Sequence, residues 1–172
     1  MISPRHVLTA AHCTTRSKID VIVGEHRVSS SRDGTRHTSC RIVDHPKYNN
    51  PVRMDNDFAI LHLNKPVDIG PRAAPACLAK SSWSGGFFVG KSLTVSGWGT
   101  LSSGGSQPDV LHTVNVPGVS NAQCNKAYGG ITDQKLCAAA AGGGVDSCQG
   151  DSGGKKCYLY LYKFNALIIL VF

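Results

Sequence analysis

The sequence predicts an all-β protein, a barrel or a sandwich, and three observations carry that expectation. Short apolar runs recur along most of the 172-residue chain, each bounded by turn-forming residues, the pattern of strands joined by tight connections. The 19 glycines and 8 prolines follow no triplet period, so they mark turns and not a collagen helix. Hydrophobic residues make up 41% of the chain and charged ones 17%, which is enough apolar surface for a core and too little charge for a disordered tail.

Taken in order, the candidate strands are Val7–Thr9, Ile19–Val23, Cys40–Val43, Phe58–Leu63, Leu93–Val95, Val110–Val116 and Leu136–Ala138. Phe58-Ala-Ile-Leu-His-Leu63 carries apolar residues on both alternating faces and is expected to be buried on both. One helix stands out, near 120–128. Ser120 and Gln123 have the S-x-x-Q spacing of a capping box, in which hydroxyl and amide satisfy orphan backbone donors reciprocally. Gly129 then supplies a left-handed stop. Pro66–Pro75 and the Ser/Gly stretch Ser81–Gly86 form the expected connection between two β units. Gly99–Gly105 and Gly142–Gly144 are further loops, too flexible for strand interiors.

Basic residues outnumber acidic ones 18 to 11, and both halves of the chain share the excess. No basic run exceeds Lys155-Lys156. That dispersion describes a solvated surface and argues against a nucleic-acid partner.

Seven cysteines point to an oxidising compartment, and the odd number leaves at least one thiol over. No C-x₂-C pair exists, and the adjacent His12 and Cys13 cannot both reach one metal without strain, so no zinc site is expected. Cys124 and Cys137 bracket a short segment holding a Gly-Gly turn and make the best local bridge. For Cys13, Cys40, Cys77, Cys148 and Cys157 the sequence itself identifies no partner. Met1 leads into Ile-Ser-Pro-Arg-His without the apolar region of a signal peptide, which conflicts with the cysteine load, so the chain is expected to be a fragment or a mis-spliced product. The end, Tyr158–Phe172, is apolar but broken by Lys163 and Asn165. Its uninterrupted run, Ala166–Phe172, is far below the roughly 18–20 residues of a membrane span. It reads as a buried strand or, given its abrupt change of character, as translated non-coding sequence.

Three segments converge on one reaction. Leu8-Thr-Ala-Ala-His12-Cys13 places a histidine in a small-residue turn after an apolar strand. Asp55-Asn-Asp57-Phe-Ala-Ile-Leu61 places a carboxylate at the mouth of a strand. Asp146-Ser-Cys-Gln-Gly-Asp-Ser-Gly-Gly154 sets a serine among glycines. Acyl transfer needs such a set, because a serine hydroxyl attacks only when an imidazole takes its proton. A buried carboxylate must hold that imidazole in one tautomer, and backbone N–H groups must receive the oxyanion. Glycines beside Ser152 let the backbone turn sharply and present those donors, which are expected from Gly150 and Ser152.

The Thr9-Ala-Ala-His-Cys13, Asp57-Phe-Ala-Ile-Leu61 and Gly150-Asp-Ser-Gly-Gly154 motifs, with Val95-Ser-Gly-Trp-Gly-Thr100 and Asp146-Ser-Cys-Gln149 between them, resemble the chymotrypsin/trypsin family of serine endopeptidases. The resemblance runs from about Ile2 to Gly154. It implies two six-stranded antiparallel Greek-key barrels, both incomplete in this chain. Residues 1–76 would be the remnant of the N-terminal barrel with His12 and Asp57, and 77–154 part of the C-terminal barrel with Ser152. Residues 155–172 would be a tail outside the family pattern.

By that resemblance His12 is general base and then general acid, Asp57 orients it, and Ser152 is the nucleophile that forms an acyl-enzyme. Asp146 matches the base of the primary specificity pocket, which implies cleavage after Arg or Lys. Cys124–Cys137 matches a family disulfide. The resemblance also implies protein substrates, protein inhibitors, an extracellular location and a monomer, with no cofactor and no membrane partner.

The chain departs from the pattern at both sides. Asp151 matches the aspartate that pairs with a newly released N-terminal ammonium, and no segment here supplies that group, so a collapsed, zymogen-like oxyanion hole is expected. Lys155-Lys-Cys157 stands where the family continues with a proline, a barrel strand and the far pocket wall. Cys13, Cys77, Cys148 and Cys157 are expected to lack their mates, and Leu93 stands where many members carry cysteine. Glu25 and Asp33 alone do not make a calcium loop, which wants about six oxygens. The 172-residue polypeptide is therefore expected to be inactive on its own. A non-catalytic homologue acting as a binding or regulatory protein is the rival reading, and the presence of His12, Asp57 and Ser152 together weighs against it.

Overall fold

The structure, a computed structural model, describes residues 1–29, 34–80, 85–101 and 105–139. Each of the seven candidate strands is present within them. His6–Thr9 (β1), Asp20–Val23 (β2), Thr35–Asp44 (β3) and Ala59–Leu63 (β4) form one antiparallel sheet, in the order β1-β4-β3-β2. Ser92–Gly97 (β5), His112–Val119 (β6) and Cys137–Ala138 (β7) form a second, in the order β5-β6-β7. Each sheet is curled into part of a barrel. Among the described residues, the two expected six-stranded barrels are thus represented by four strands and three.

Alternation sets the first core. Along β4, Ala59, Leu61 and Leu63 point inward and are 1–2% exposed, whereas Ile60 and His62 are only half-buried. The expectation of burial on both faces is thus corrected: side chains alternate with period two, and only the Ala59, Leu61, Leu63 face is fully buried. Leu61 and Leu63 meet Met1, Val7 and Val67, with Ile19, Val21, Val23, Ile42 and Ala73 packed around them. On the outer face His6 and His62, direct partners across β1 and β4, set their rings edge to face at 4.7 Å.

β3 is longer than the apolar run Cys40–Val43 because it serves two partners. Thr35–Thr38 pair with β2, and Ser39–Asp44 pair with β4. The register slips between Ser39 and Arg41, which makes Cys40 the extra residue of a bulge, and bulges let a strand bend from one neighbour to the next. Ser39, 1% exposed, takes the Ile19 N–H on its Oγ at 2.8 Å.

The second core gathers Phe88, Leu93, Val95, Val116 and Ala138. β6 runs on through Pro117 and Gly118 to Val119, beyond the apolar stretch read from the sequence. Pro117 has no N–H to give, but its carbonyl accepts from Ala139. At Gly118 a Cβ would lie 2.2 Å from the Phe88 carbonyl oxygen, so only glycine allows that approach. Asn121–Ala127 (α1) follows, with the Ser120–Gln123 capping box formed in both directions. It ends at Gly129, whose φ of 69° is the left-handed stop.

Among the described residues, two junctions join the sheets. Residues 26–29 run beside 109–111: Val28 N–H donates to Asp109 O at 2.8 Å and Leu111 N–H to His26 O at 2.9 Å. Arg27 pairs with the Asp109 carboxylate at 3.3 Å. The other junction lies beside the candidate site. Among the described residues no helix is long and apolar enough to cross a membrane.

Candidate active site

β1 delivers the chain into a single 3-10 turn, Ala11–Cys13. Small residues permit it, since Ala11 packs inside at 5% exposure. Thr14 then ties the turn down: its hydroxyl donates to Ala11 O at 2.6 Å and lies 2.7 Å from Asp44 Oδ1 at the end of β3. His12 is thereby held at the rim, its side chain 21% exposed.

Asp57 arrives from the opposite direction, just ahead of β4, with a side chain wholly out of solvent. Its two oxygens are divided between two donors of the same residue. Oδ1 accepts the His12 backbone N–H at 2.8 Å, and Oδ2 lies 2.5 Å from His12 Nδ1. A carboxylate only accepts, so the neutral ring carries its proton on Nδ1 and Nε2 is the basic nitrogen. The backbone contact fixes the turn and the side-chain contact fixes the ring, leaving the imidazole little freedom to rotate.

The loop that presents Asp57 is conformationally demanding. Asn49, Met54 and Asn56 have φ of 63°, 64° and 52°. Asparagine tolerates that region; methionine adopts it only under constraint. The constraint is a dense local network. Asn49 Oδ1 accepts the Met54 N–H at 2.8 Å, and Asn56 Nδ2 donates to Lys47 O and Asn50 O. Asn49 N–H donates to Asp55 O, and Asp55 N–H to Val52 O.

The second junction starts from Asp55, which is entirely buried. Its Oδ1 accepts the Thr132 hydroxyl and the Lys135 ammonium, each at 2.9 Å. Sequence reasoning placed Asp55 in the Asp57 motif but gave it no role, and passed over Thr132 and Lys135 altogether. Asp55 and Thr132 are 77 residues apart, and nothing local in either segment announces the other.

Cys124 and Cys137 form a disulfide with Cα atoms 6.5 Å apart, closing the segment that holds Thr132 and Lys135. Cys13, expected to lack a mate, is disulfide-bonded. Cys40 and Cys77 are exposed free thiols. Of the other residues singled out in the sequence, Asp146, Cys148, Gly150, Asp151, Ser152 and Cys157 lie outside the described residues. The structure thus brings His12 and Asp57 together and gives no geometry for Ser152.

Antiparallel half-barrels with an imidazole leashed to a buried carboxylate at the mouth of one of them agree with the comparisons with known proteins. The chain belongs to the trypsin family, whose model, described as Trypsin, matches residues 1–155. It is 40% identical over 158 residues to a trypsin of Xenopus laevis and to trypsin-3 of Salmo salar, and 38% identical over 157 residues to serine protease 1 of Rattus norvegicus. Each match takes in 90% of this chain but only 62%, 63% and 61% of the relative. The chain therefore spans about three-fifths of the length of these curated relatives.

Proposed function

We propose that this chain carries the machinery of a trypsin-like serine endopeptidase that cleaves peptide bonds after Arg or Lys. The observation that carries the reading is the pairing of His12 with the buried Asp57 through Nδ1, which makes Nε2 the nitrogen that takes a proton. In the proposed cycle His12 Nε2 removes the proton of Ser152 Oγ as that oxygen attacks the scissile carbonyl. The oxyanion is received by the N–H groups of Gly150 and Ser152. His12 then returns the proton to the leaving amine, and water hydrolyses the acyl-enzyme by the same route. Asp146 attracts the Arg or Lys side chain before the scissile bond. Residues 1–76 and 77–154 are the two barrel portions of this reading.

The closed Cys124–Cys137 bridge and the bonded Cys13 support an extracellular destination. Protein substrates and protein inhibitors are the partners the reading implies, for a monomer without cofactor. The 172-residue polypeptide taken alone is proposed to be inactive, because Lys155-Lys-Cys157 stands where the resemblance places the continuation toward the far pocket wall.

Two experiments test this. In a chimera, residues 1–154 replace the matched segment of the Xenopus trypsin. It is expected to cleave Arg and Lys amides, to lose that activity in Ser152→Ala, and to lose about 10⁴-fold in Asp57→Asn, the loss known for this same triad. A chimera that folds but cleaves neither substrate overturns the peptidase reading. A fluorophosphonate probe is expected to leave the 172-residue chain unlabelled; stoichiometric labelling that disappears in Ser152→Ala overturns the proposed inactivity.

A further inference from the structure

We propose that Asp55 is a positioning residue through which the disulfide-closed segment 124–137 governs the orientation of His12. This rests on reading His12 and Asp57 as base and orienter. Every proton of the Lys135 ammonium has a place. It meets Asp55 Oδ1 at 2.9 Å, and it donates to Gly130 O at 2.8 Å and Arg53 O at 3.3 Å. The ammonium therefore grips the Asp57 loop twice, once by side chain and once by backbone, and its own turn once. Thr132 adds a second bond to the same carboxylate.

The gripping turn is itself fixed. Asn121 Nδ2 donates to Thr132 O and Lys135 O. Asn125 clasps Ile131 through both its amide groups, at 2.7 and 2.8 Å. Both asparagines belong to α1, which the Cys124–Cys137 bridge ties to β7. On the other side, the loop from Asn49 to Asn56 holds three non-glycine residues at positive φ, so it keeps its shape only while its surroundings impose it.

Asp55 stands where imposition and strain meet. Its Oδ1 is taken by the second sheet's connection, its backbone N–H and C=O close the loop, and Asp57 follows two residues later. Asp55 Oδ2 is buried with no hydrogen-bond partner among the described residues. The carboxylate is thus anchored through one oxygen, and the place of that oxygen decides the place of the loop. Releasing it lets Asp57 shift, and His12 with it.

The test is the Nδ1–H proton of His12 in the 172-residue chain, observed by NMR as a far-downfield signal and followed through its exchange with water. Asp55→Ala and Lys135→Met are expected to speed that exchange about tenfold or more, the scale of coupling within one hydrogen-bond network. Lys135→Arg, which can reach the same acceptors, is expected to preserve it. Backbone amide signals of β1 and β4 report that the sheet is intact. A role in stability alone lowers the thermal midpoint but leaves the exchange unchanged, and that result overturns the proposal. Should Asp55→Ala fail to fold, Thr132→Val and Lys135→Met decide by the same readout. Absence of the signal in the unsubstituted chain overturns the proposal at its base. The peptidase reading fails separately, through an inactive chimera whose His12 signal is unchanged.

Discussion

At His12 and Asp57 two short bonds do different work. One holds a backbone turn and the other a ring, so a substitution at Asp57 disturbs both. The same economy appears at Gly118, where the chain passes so close to the Phe88 carbonyl that no side chain fits. Gly118→Ala is expected to cost about 1–3 kcal/mol, the usual range for overpacking, measured as a lowered urea midpoint with unchanged slope. Ser120→Ala should remove the hydroxyl half of the capping box for about 1 kcal/mol; loss of α1 amide protection in hydrogen exchange checks it. Ser120, Gln123 and Gly129 were legible because capping chemistry is local and repeats across proteins. His12 and Asp57 were legible because acyl transfer demands those residue types together. Asp55 was not, because its partner lies in a different element and its meaning depends on the meeting.

Among the elements, β4 and β3 show what a pattern of polarity can and cannot convey. Each strand was found from its apolar run, but Thr35–Ser39 of β3 is polar and was missed. Those residues are held instead by ladder bonds to β2 and by Ser39 and Asp20. Asp20 accepts from Thr38 Oγ1 at 2.7 Å and pairs with Arg36 at 2.9 Å. The Thr38 bond, then Arg36, keeps its carboxyl below the usual range. At Asp109 the bonds from Ser29, and then Arg27, do the same. Depressed carboxylates stabilise the fold above their ordinary value near 4 and lose that contribution as pH falls toward the lowered one.

His62 moves the fold's pH response further up the scale. Loss of solvent around its ring, then the charges of His6 and Arg41, hold it below its usual value. The unfolded chain binds this proton first, so stability present above about pH 6.5 declines as pH drops below it. His62→Gln is expected to flatten that part of the profile, in thermal midpoints taken between about pH 7.5 and 5.5. Midpoints with the same slope in both proteins would refute it.

For the whole molecule, the two sheets meet through a ladder at 26–29 and 109–111 and through the Asp55 cluster, both polar. Neither seam shows in hydropathy, which explains why the joining of the sheets could not be read from the sequence. Ordering in the second unit leans on the Cys124–Cys137 bridge. Replacing both cysteines by serine should cost about 3 kcal/mol, the scale for a loop of this length, seen in chemical denaturation.

The exposed sulfhydryls of Cys40 and Cys77 have a consequence at the bench. Through these thiols, copies of the chain in aerated buffer can couple to one another. Non-reducing electrophoresis of aged samples would then show a ladder that collapses to one band with dithiothreitol. Replacing both by alanine should shorten it, and with Cys77 alone replaced a maleimide dye on Cys40 would give a fluorescent reporter at the β3 bulge.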